Sequence, residues 1–232
     1  MPPAGRTVTE RAGSATAIRA WHGVLAVVVA AALIAQIVLL FTGGQDANSG
    51  QTEDELGAGV RLARLFSYFT IQSNIVVLAA AIGLVLRPHR DGRVWRVLRV
   101  DSLLAIAITG LVFTFVLLPM VQLSGLALWV SFALHAFSPV WTIVGWFLFG
   151  PRPRIDLATI GWAFAWPVAW IVFTFVRGAA TDWYPYPFLN AAELGLGVAL
   201  RNTAGVLVLA AVLALVFRAA DRLPVIRPRP RI

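Results

Sequence analysis

The sequence contains no cysteine, which excludes disulfides, thiol nucleophiles and thiolate metal sites. Lysine is absent as well, so every basic side chain is an arginine. Only three histidines occur (His22, His89 and His135), and they are too few and too scattered to predict a metal cage. Charged residues form 13% of the chain, about half the share that is usual in soluble domains. We therefore expect no metal site, and the low charge argues against a soluble domain.

Apolar residues make up 59% of the 232 positions, and the mean hydropathy is +0.80. They are grouped in six segments, each close to the ~20 residues with which a helix crosses ~30 Å of hydrocarbon. This pattern predicts an all-α polytopic membrane protein built as a bundle of six transmembrane helices. In chain order the predicted spans are 21–42, 62–86, 101–119, 127–149, 157–176 and 196–217.

The net charge of +8 is distributed unevenly between the two ends of these spans. If both termini lie on one side, that side holds 15 of the 19 arginines, whereas the opposite loops hold six of the eleven acidic residues. The positive-inside rule then predicts a cell-membrane protein with a cytoplasmic tail 1–20, a transmembrane domain 21–217 and a cytoplasmic basic tail 218–232. The basic excess indicates contact with anionic membrane lipid. Nucleic acid is not expected as a partner.

The second predicted span is polar in its first half, where the sequence reads "RLFSYFTIQSN". Ser67, Thr70 and Asn74 fall at i, i+3 and i+7 on one helical face, and Ser73 lies beside them. Polar groups in a bilayer cost free energy unless they find partners. Two interpretations stay open. The patch either bonds to neighbouring helices or lines a polar cavity in which Thr70 is a nucleophile.

Helical rise places three polar side chains in one layer of the outer half of the membrane. Thr70, His135 and Asn202 lie about 12, 13 and 10 Å below the predicted outer ends of their spans. An ionisable residue inside a membrane is a candidate functional residue, and a neutral imidazole can accept a proton. The alternative is a histidine that only bonds a backbone carbonyl. Ser131 and Ser138 are placed to orient the ring, and no carboxylate shares the layer, so a Ser-His-Asp triad is not predicted.

Pro139 follows His135 by four residues. It lacks the N–H group that would bond the His135 carbonyl in a regular helix. We therefore predict a local distortion of the fourth span that opens space beside the imidazole.

Three local patterns coincide on these six spans: "FSYFTIQSN" around Thr70, "LHAFSPV" around His135 and "TDWYPYPFLN" before the last span. Together, over roughly 20–217, the chain resembles the androgen-induced membrane protein family and its bacterial relatives. The animal members are intramembrane threonine hydrolases that cleave fatty acid esters of hydroxy fatty acids. The resemblance implies that Thr70 matches their nucleophile and His135 their essential histidine.

These observations lead to the hypothesis of a lipid ester hydrolase that works in the outer half of the membrane. Thr70 attacks the ester carbonyl, and His135 takes its proton and returns it to the leaving alcohol. No cofactor is required. The candidate oxyanion donors are Ser67, Ser73, Asn74 and Asn202.

Arg201, near the outer end of the sixth span, has two possible roles. It either extends to the lipid head groups or, like Arg64, binds a free carboxylate of the substrate.

The rival hypothesis is a non-enzymatic multi-pass protein, such as a small-solute carrier or an assembly factor. Carriers often have charges or broken helices at the membrane midplane, and the predicted spans carry no clear midplane charge. Covalent labelling by a serine/threonine-hydrolase probe separates the two hypotheses.

Overall fold

The computed structural model describes residues 6–53 and 55–223, with side chains described from residue 15 onward. Within these ranges the secondary structure is helical, without strands. Residues 1–5 of the predicted N-terminal tail and 224–232 of the basic tail lie outside the described residues. The helices are α1 (Arg6–Phe41), α2 (Ala58–Ser67), α3 (Phe69–Leu86), α4 (Arg93–Val112), α5 (Gly125–Phe132), α6 (Ser138–Phe149), α7 (Leu157–Ala163), α8 (Ala165–Thr181), α9 (Ala191–Leu194) and α10 (Leu196–Asp221).

Six helical stretches in the described ranges are long and apolar enough to cross a membrane. Two of them include π-helical turns: Phe113–Leu117 continues α4, and Ala133–Phe137 joins α5 to α6. The prediction of an all-α bundle with six spans is confirmed, and contact with membrane lipid follows from it. The spans are Ala15–Phe41, Phe69–Leu86, Arg93–Met120, Gly125–Phe149, Leu157–Thr181 and Leu196–Asp221.

The third span begins at Arg93, earlier than the predicted start at residue 101. The arginines of this segment lower its hydropathy, but Trp95 and Val100 are buried. Trp95 packs so closely on α3 that a Cβ added at Gly83 would lie 2.6 Å from its ring. Burial of these apolar side chains therefore extends the helix into a segment whose composition is typical of a loop.

The second span is not the single helix predicted over 62–86. It breaks at Tyr68, which has an extended backbone (φ −66°, ψ 129°) between α2 and α3. In an unbroken helix the Ser67 carbonyl would accept from the N–H four residues later. Here it accepts from Trp170 Nε1 at 2.9 Å instead. Thr70 thus lies in the first turn of α3. Its depth in the membrane cannot be counted by helical rise from Leu62, the predicted outer end of the span, because the helix between them is broken.

The centre of the bundle is formed by α3 and α4, which pack against each other. On the outside of this pair, α1 packs along α3, whereas α6, α7 and α10 pack on α4. By contrast, α8 makes few close backbone approaches to α3 or α10. It therefore packs loosely against the centre of the bundle.

Tryptophan side chains hold α8 at a distance from α3. Trp166 stacks on Phe69 with ring centroids 5.1 Å apart, and its indole N–H donates to Gln72 Oε1 at 3.1 Å. Trp170 packs on the same Phe69 ring at 5.0 Å. Trp162, one turn earlier, is 71% exposed and faces outward. Because these aromatic rings separate α8 from α3, space remains between α8 and the central helices α3 and α4.

Candidate active site

Thr70 and His135 are in contact inside the bundle. Thr70 Oγ1 lies 3.3 Å from His135 Nε2, and both residues are only 3% exposed. Thr70 is placed by the first turn of α3, and His135 by the π-helical turn between α5 and α6. The proximity expected from the sequence is present, although the two residues are 65 positions apart.

The surroundings of His135 determine which ring nitrogen carries the proton. Nδ1 lies 3.0 Å from the backbone carbonyl oxygen of Ser131 and 3.0 Å from its hydroxyl oxygen. A carbonyl oxygen can only accept, so Nδ1 is the protonated nitrogen and donates to it. Nε2 is therefore unprotonated and presents its lone pair to the Thr70 hydroxyl. Ser138, the other serine expected to orient the ring, has a buried hydroxyl with no hydrogen-bond partner.

Two π-helical turns face each other at this point. Phe113, in the turn that continues α4, stacks on the His135 ring with centroids 3.6 Å apart and planes at 15°. Behind the ring, Gly110 allows α4 to approach α6, since a Cβ there would lie 3.0 Å from Pro139. The distortion predicted at Pro139 takes the form of the π turn, in which the Ser138 N–H bonds the Ala133 carbonyl. Such turns are frequent at functional sites.

Tyr186 completes the arrangement from the loop between α8 and α9. Its hydroxyl oxygen lies 3.1 Å from the Thr70 backbone nitrogen and 3.3 Å from Thr70 Oγ1. The N–H group can only donate, so the phenol oxygen accepts it and the phenol hydrogen can point to Oγ1. Burial raises the pKa of Tyr186 to about 12, so the phenol stays protonated at neutral pH.

Tyr186 is a site residue that the sequence analysis did not place. Its segment, "YPYPFLN", was part of the family resemblance, but the Tyr186 side chain had no assigned role. Tyr186 and Thr70 are 116 positions apart. Helical periodicity and depth from helical rise do not apply to a loop residue. The segment "YPYPFLN" was therefore the one signal in the sequence that pointed to Tyr186.

The other predicted polar residues surround the site but bond to backbone carbonyls, and the Ser73 hydroxyl also contacts Thr109 Oγ1 at 2.9 Å. Because these donors are used internally, they hold the local backbone in place and do not face the cavity. The bonds are Ser67 Oγ to Ala63 O (2.6 Å), Ser73 Oγ to Thr70 O (3.0 Å), Asn74 Nδ2 to Thr70 O (2.9 Å) and Asn202 Nδ2 to Phe188 O (2.9 Å).

The two arginines considered as carboxylate ligands do not line the cavity either. Arg201 is exposed on α10. Arg64 forms an ion pair with Glu53 at 2.8 Å. The structure thus brings Thr70 and His135 together, and neither arginine lies next to this pair.

A cavity of about 60 Å³ opens beside the Thr70 hydroxyl. Its walls come from α3, α4, α8, α10 and the loop that carries Tyr186. Thr70, Thr109, Thr203 and Tyr186 contribute hydroxyl groups, and the rest of the lining is apolar and includes Trp170. Two of the walls, α8 and α10, scarcely approach each other, so the cavity lies behind a weakly packed side of the bundle.

These contacts place a hydroxyl between a base and a hydrogen-bond donor. The Thr70 proton faces an unprotonated imidazole nitrogen, which is the arrangement that activates a nucleophile. On the other side of the hydroxyl, Tyr186 supplies a donor and the first turn of α3 a partial positive charge. Comparison of the chain with protein families, curated proteins and solved structures finds no match.

Proposed function

We propose that this protein is an integral membrane hydrolase of lipid esters, with Thr70 as nucleophile and His135 as general base. The observation that carries the proposal is the position of the Thr70 hydroxyl, 3.3 Å from both the unprotonated His135 Nε2 and the Tyr186 hydroxyl, at an apolar cavity. The resemblance of the chain to the androgen-induced membrane protein family supports the same pair of residues. By that resemblance, fatty acid esters are the substrates.

The reaction proceeds in two balanced steps. In the first, the Thr70 proton moves to His135 Nε2 while Oγ1 bonds the ester carbonyl carbon. The C–O bond to the alcohol then breaks, and the imidazolium returns the proton to the departing oxygen. In the second, His135 takes a proton from water, hydroxide adds to the Thr70 ester, and the acid leaves with Thr70 regenerated.

The developing oxyanion needs donors, and Tyr186 supplies one. Its phenol hydrogen reaches the point where Oγ1 bonds the carbonyl carbon, within hydrogen-bond range of the new anionic oxygen. The N-terminal turn of α3 adds the favourable sign of the helix dipole. This role replaces the one that the sequence analysis gave to the serines and asparagines, whose donors are already bonded.

The cavity accommodates the reacting ester group but not two acyl chains. At about 60 Å³ it is far smaller than the ~300–1,000 Å³ of typical ligand pockets. The chains of the substrate therefore extend out of the bundle, and the weakly packed side between α8 and α10 gives them a path into the lipid. A substrate dissolved in the membrane fits this access, which favours lipid esters over water-soluble ones.

The test of this function is covalent labelling of the purified protein by a fluorophosphonate probe, together with fatty acid release from an ester substrate. We expect both. A protein that neither labels nor releases acid favours the rival non-enzymatic multi-pass protein, in which the polar patch on α3 only joins helices.

Tyr186→Phe tests the oxyanion role. We expect ester hydrolysis to fall about 10–100-fold, because a hydrogen bond to a charged group contributes about 1.5–3 kcal/mol. Tyr184→Phe, in the same loop but outside the cavity lining, is the matched control and should hydrolyse at the wild-type rate. Equal rates for the Tyr186 variant and the wild type would remove Tyr186 from the mechanism.

For the orientation we propose that both termini are cytoplasmic, since an even number of spans puts them on one side and 15 of the 19 arginines lie there. A reporter fused after Ile232 should be cytoplasmic, and one inserted near Ser49 should be external. Protease accessibility in sealed membrane vesicles measures both. An external C-terminus would invert the membrane side on which Thr70 is placed.

A further inference from the structure

A second cavity lies at the opposite end of α3 from Thr70. Its volume is about 30 Å³, and it is bounded by the last turns of α3, α6 and α10 and the first turns of α4. Leu84 and Leu103 give it apolar walls, and Trp95 and Trp146 add two aromatic ones. Four helix ends meet here, at the level where a bundle of this length reaches the lipid head groups.

Four charged side chains line this cavity: Arg96, Arg99, Arg154 and Asp221. Arg96 and Arg154 share the carboxylate of Asp91, with N–O distances of 2.9 and 2.8 Å. With the neighbouring Arg90, Arg152, Asp91 and Asp156 included, five guanidinium groups lie with three carboxylates in and around the cavity, and two positive charges are left over. The surplus favours an anionic ligand.

Two buried polar atoms of these residues have no partner. The Nη2 atom of Arg99 is buried and forms no hydrogen bond. Asp221, which is 1% exposed, accepts the backbone N–H groups of Arg154 and Ile155 with Oδ2, while its buried Oδ1 is unpaired. The cavity therefore combines an unsatisfied donor with an unsatisfied acceptor, a combination that native proteins rarely leave unfilled.

The aromatic walls are themselves held by cations. The guanidinium group of Arg90 lies 4.9 Å from the Trp95 ring centre, and that of Arg152 lies 5.2 Å from the Trp146 ring centre. These stacked pairs fix the two walls and add to the positive rim of the cavity. The lining and its rim thus offer charge for a phosphate oxygen, and the glycerol backbone of a lipid lies outside the cavity.

We infer that the mouth of this cavity binds the head group of an anionic phospholipid of the phosphatidylglycerol type, with only a phosphate oxygen and a head-group hydroxyl entering its interior of about 30 Å³. The phosphate accepts from Arg99 Nη2, and a head-group hydroxyl donates to Asp221 Oδ1, so both unpaired atoms gain partners. Basic pockets between transmembrane helices are known lipid-binding sites. The site is independent of Thr70, and the inference stands whether or not the proposed hydrolase function does.

The experiment compares lipid retention by the full chain in detergent micelles supplied with phosphatidylglycerol or phosphatidylcholine. Native mass spectrometry counts the lipids that stay bound. We expect wild-type protein to retain phosphatidylglycerol preferentially, and Arg99→Gln to lower its apparent affinity for that lipid about tenfold, the factor that corresponds to about 1.4 kcal/mol. Arg93→Gln, an exposed arginine on the same helix, should bind as the wild type does.

Four outcomes would overturn the inference. Equal retention of the two lipids by wild-type protein does so even if the variants fail to fold. Unchanged phosphatidylglycerol binding by Arg99→Gln, or an equal loss in Arg93→Gln, does so as well. If inorganic phosphate displaces phosphatidylglycerol and raises the melting temperature as much as that lipid does, the ligand is a soluble anion. Arg99→Lys, which keeps the charge, should bind better than Arg99→Gln.

Discussion

Thr70→Ala is expected to abolish covalent labelling by a fluorophosphonate probe and, with it, measurable ester hydrolysis. The hydroxyl is the only group of Thr70 that can bond the phosphorus or carbonyl centre, so its loss removes the covalent step itself. Thr70→Val, which keeps the branched shape and loses only the hydroxyl, should behave in the same way. Thr70→Ser retains the hydroxyl and should keep part of the labelling.

The control for Thr70 is another buried threonine. Thr142 is 2% exposed, lies on α6 and does not line the cavity, so Thr142→Ala should label like the wild-type protein. In-gel fluorescence of the purified variants measures the labelling, and gel filtration confirms that each is folded. Full labelling of Thr70→Ala would mean that the probe reacts elsewhere, and the polar patch on α3 would then be a helix–helix contact.

His135→Ala should reduce ester hydrolysis about 10²–10⁴-fold, the usual contribution of a positioned general base. Without the imidazole the Thr70 proton has no acceptor on that side, and attack requires an unassisted hydroxyl. Since the base acts mainly in the chemical step, we expect the loss in kcat, with a smaller change in KM. A steady-state assay with a chromogenic fatty acid ester measures both constants.

His22 provides a matched control for His135. Its ring is also buried and also bonds the carbonyl four residues earlier, with Nδ1 2.8 Å from the Ile18 oxygen. Its Nε2 atom, however, has no hydrogen-bond partner, whereas that of His135 meets Thr70. His22→Ala should therefore leave hydrolysis at the wild-type rate. If both variants lose activity equally, the effect of His135→Ala is a packing defect and not the loss of a base.

The apolar runs and the low share of charged residues were enough to predict the class of protein and the number of spans. A helix must be long and apolar to cross hydrocarbon. The sequence of one segment, read by itself, shows whether that segment is long and apolar enough. The pairing of Thr70 with His135 was also within reach, because each was a conspicuous polar group in an apolar span. Their catalytic roles stay predictions.

Contacts between distant segments decided what the sequence left open. The break at Tyr68 depends on an indole N–H from α8, and the Tyr186 donor reaches Thr70 from a loop 116 residues away. The cavity depends on tryptophans that hold α8 away from α3. Hydropathy and periodicity describe one segment at a time. They determined that this chain has six segments fit to span a membrane, whereas packing between segments determined which hydroxyl contacts His135.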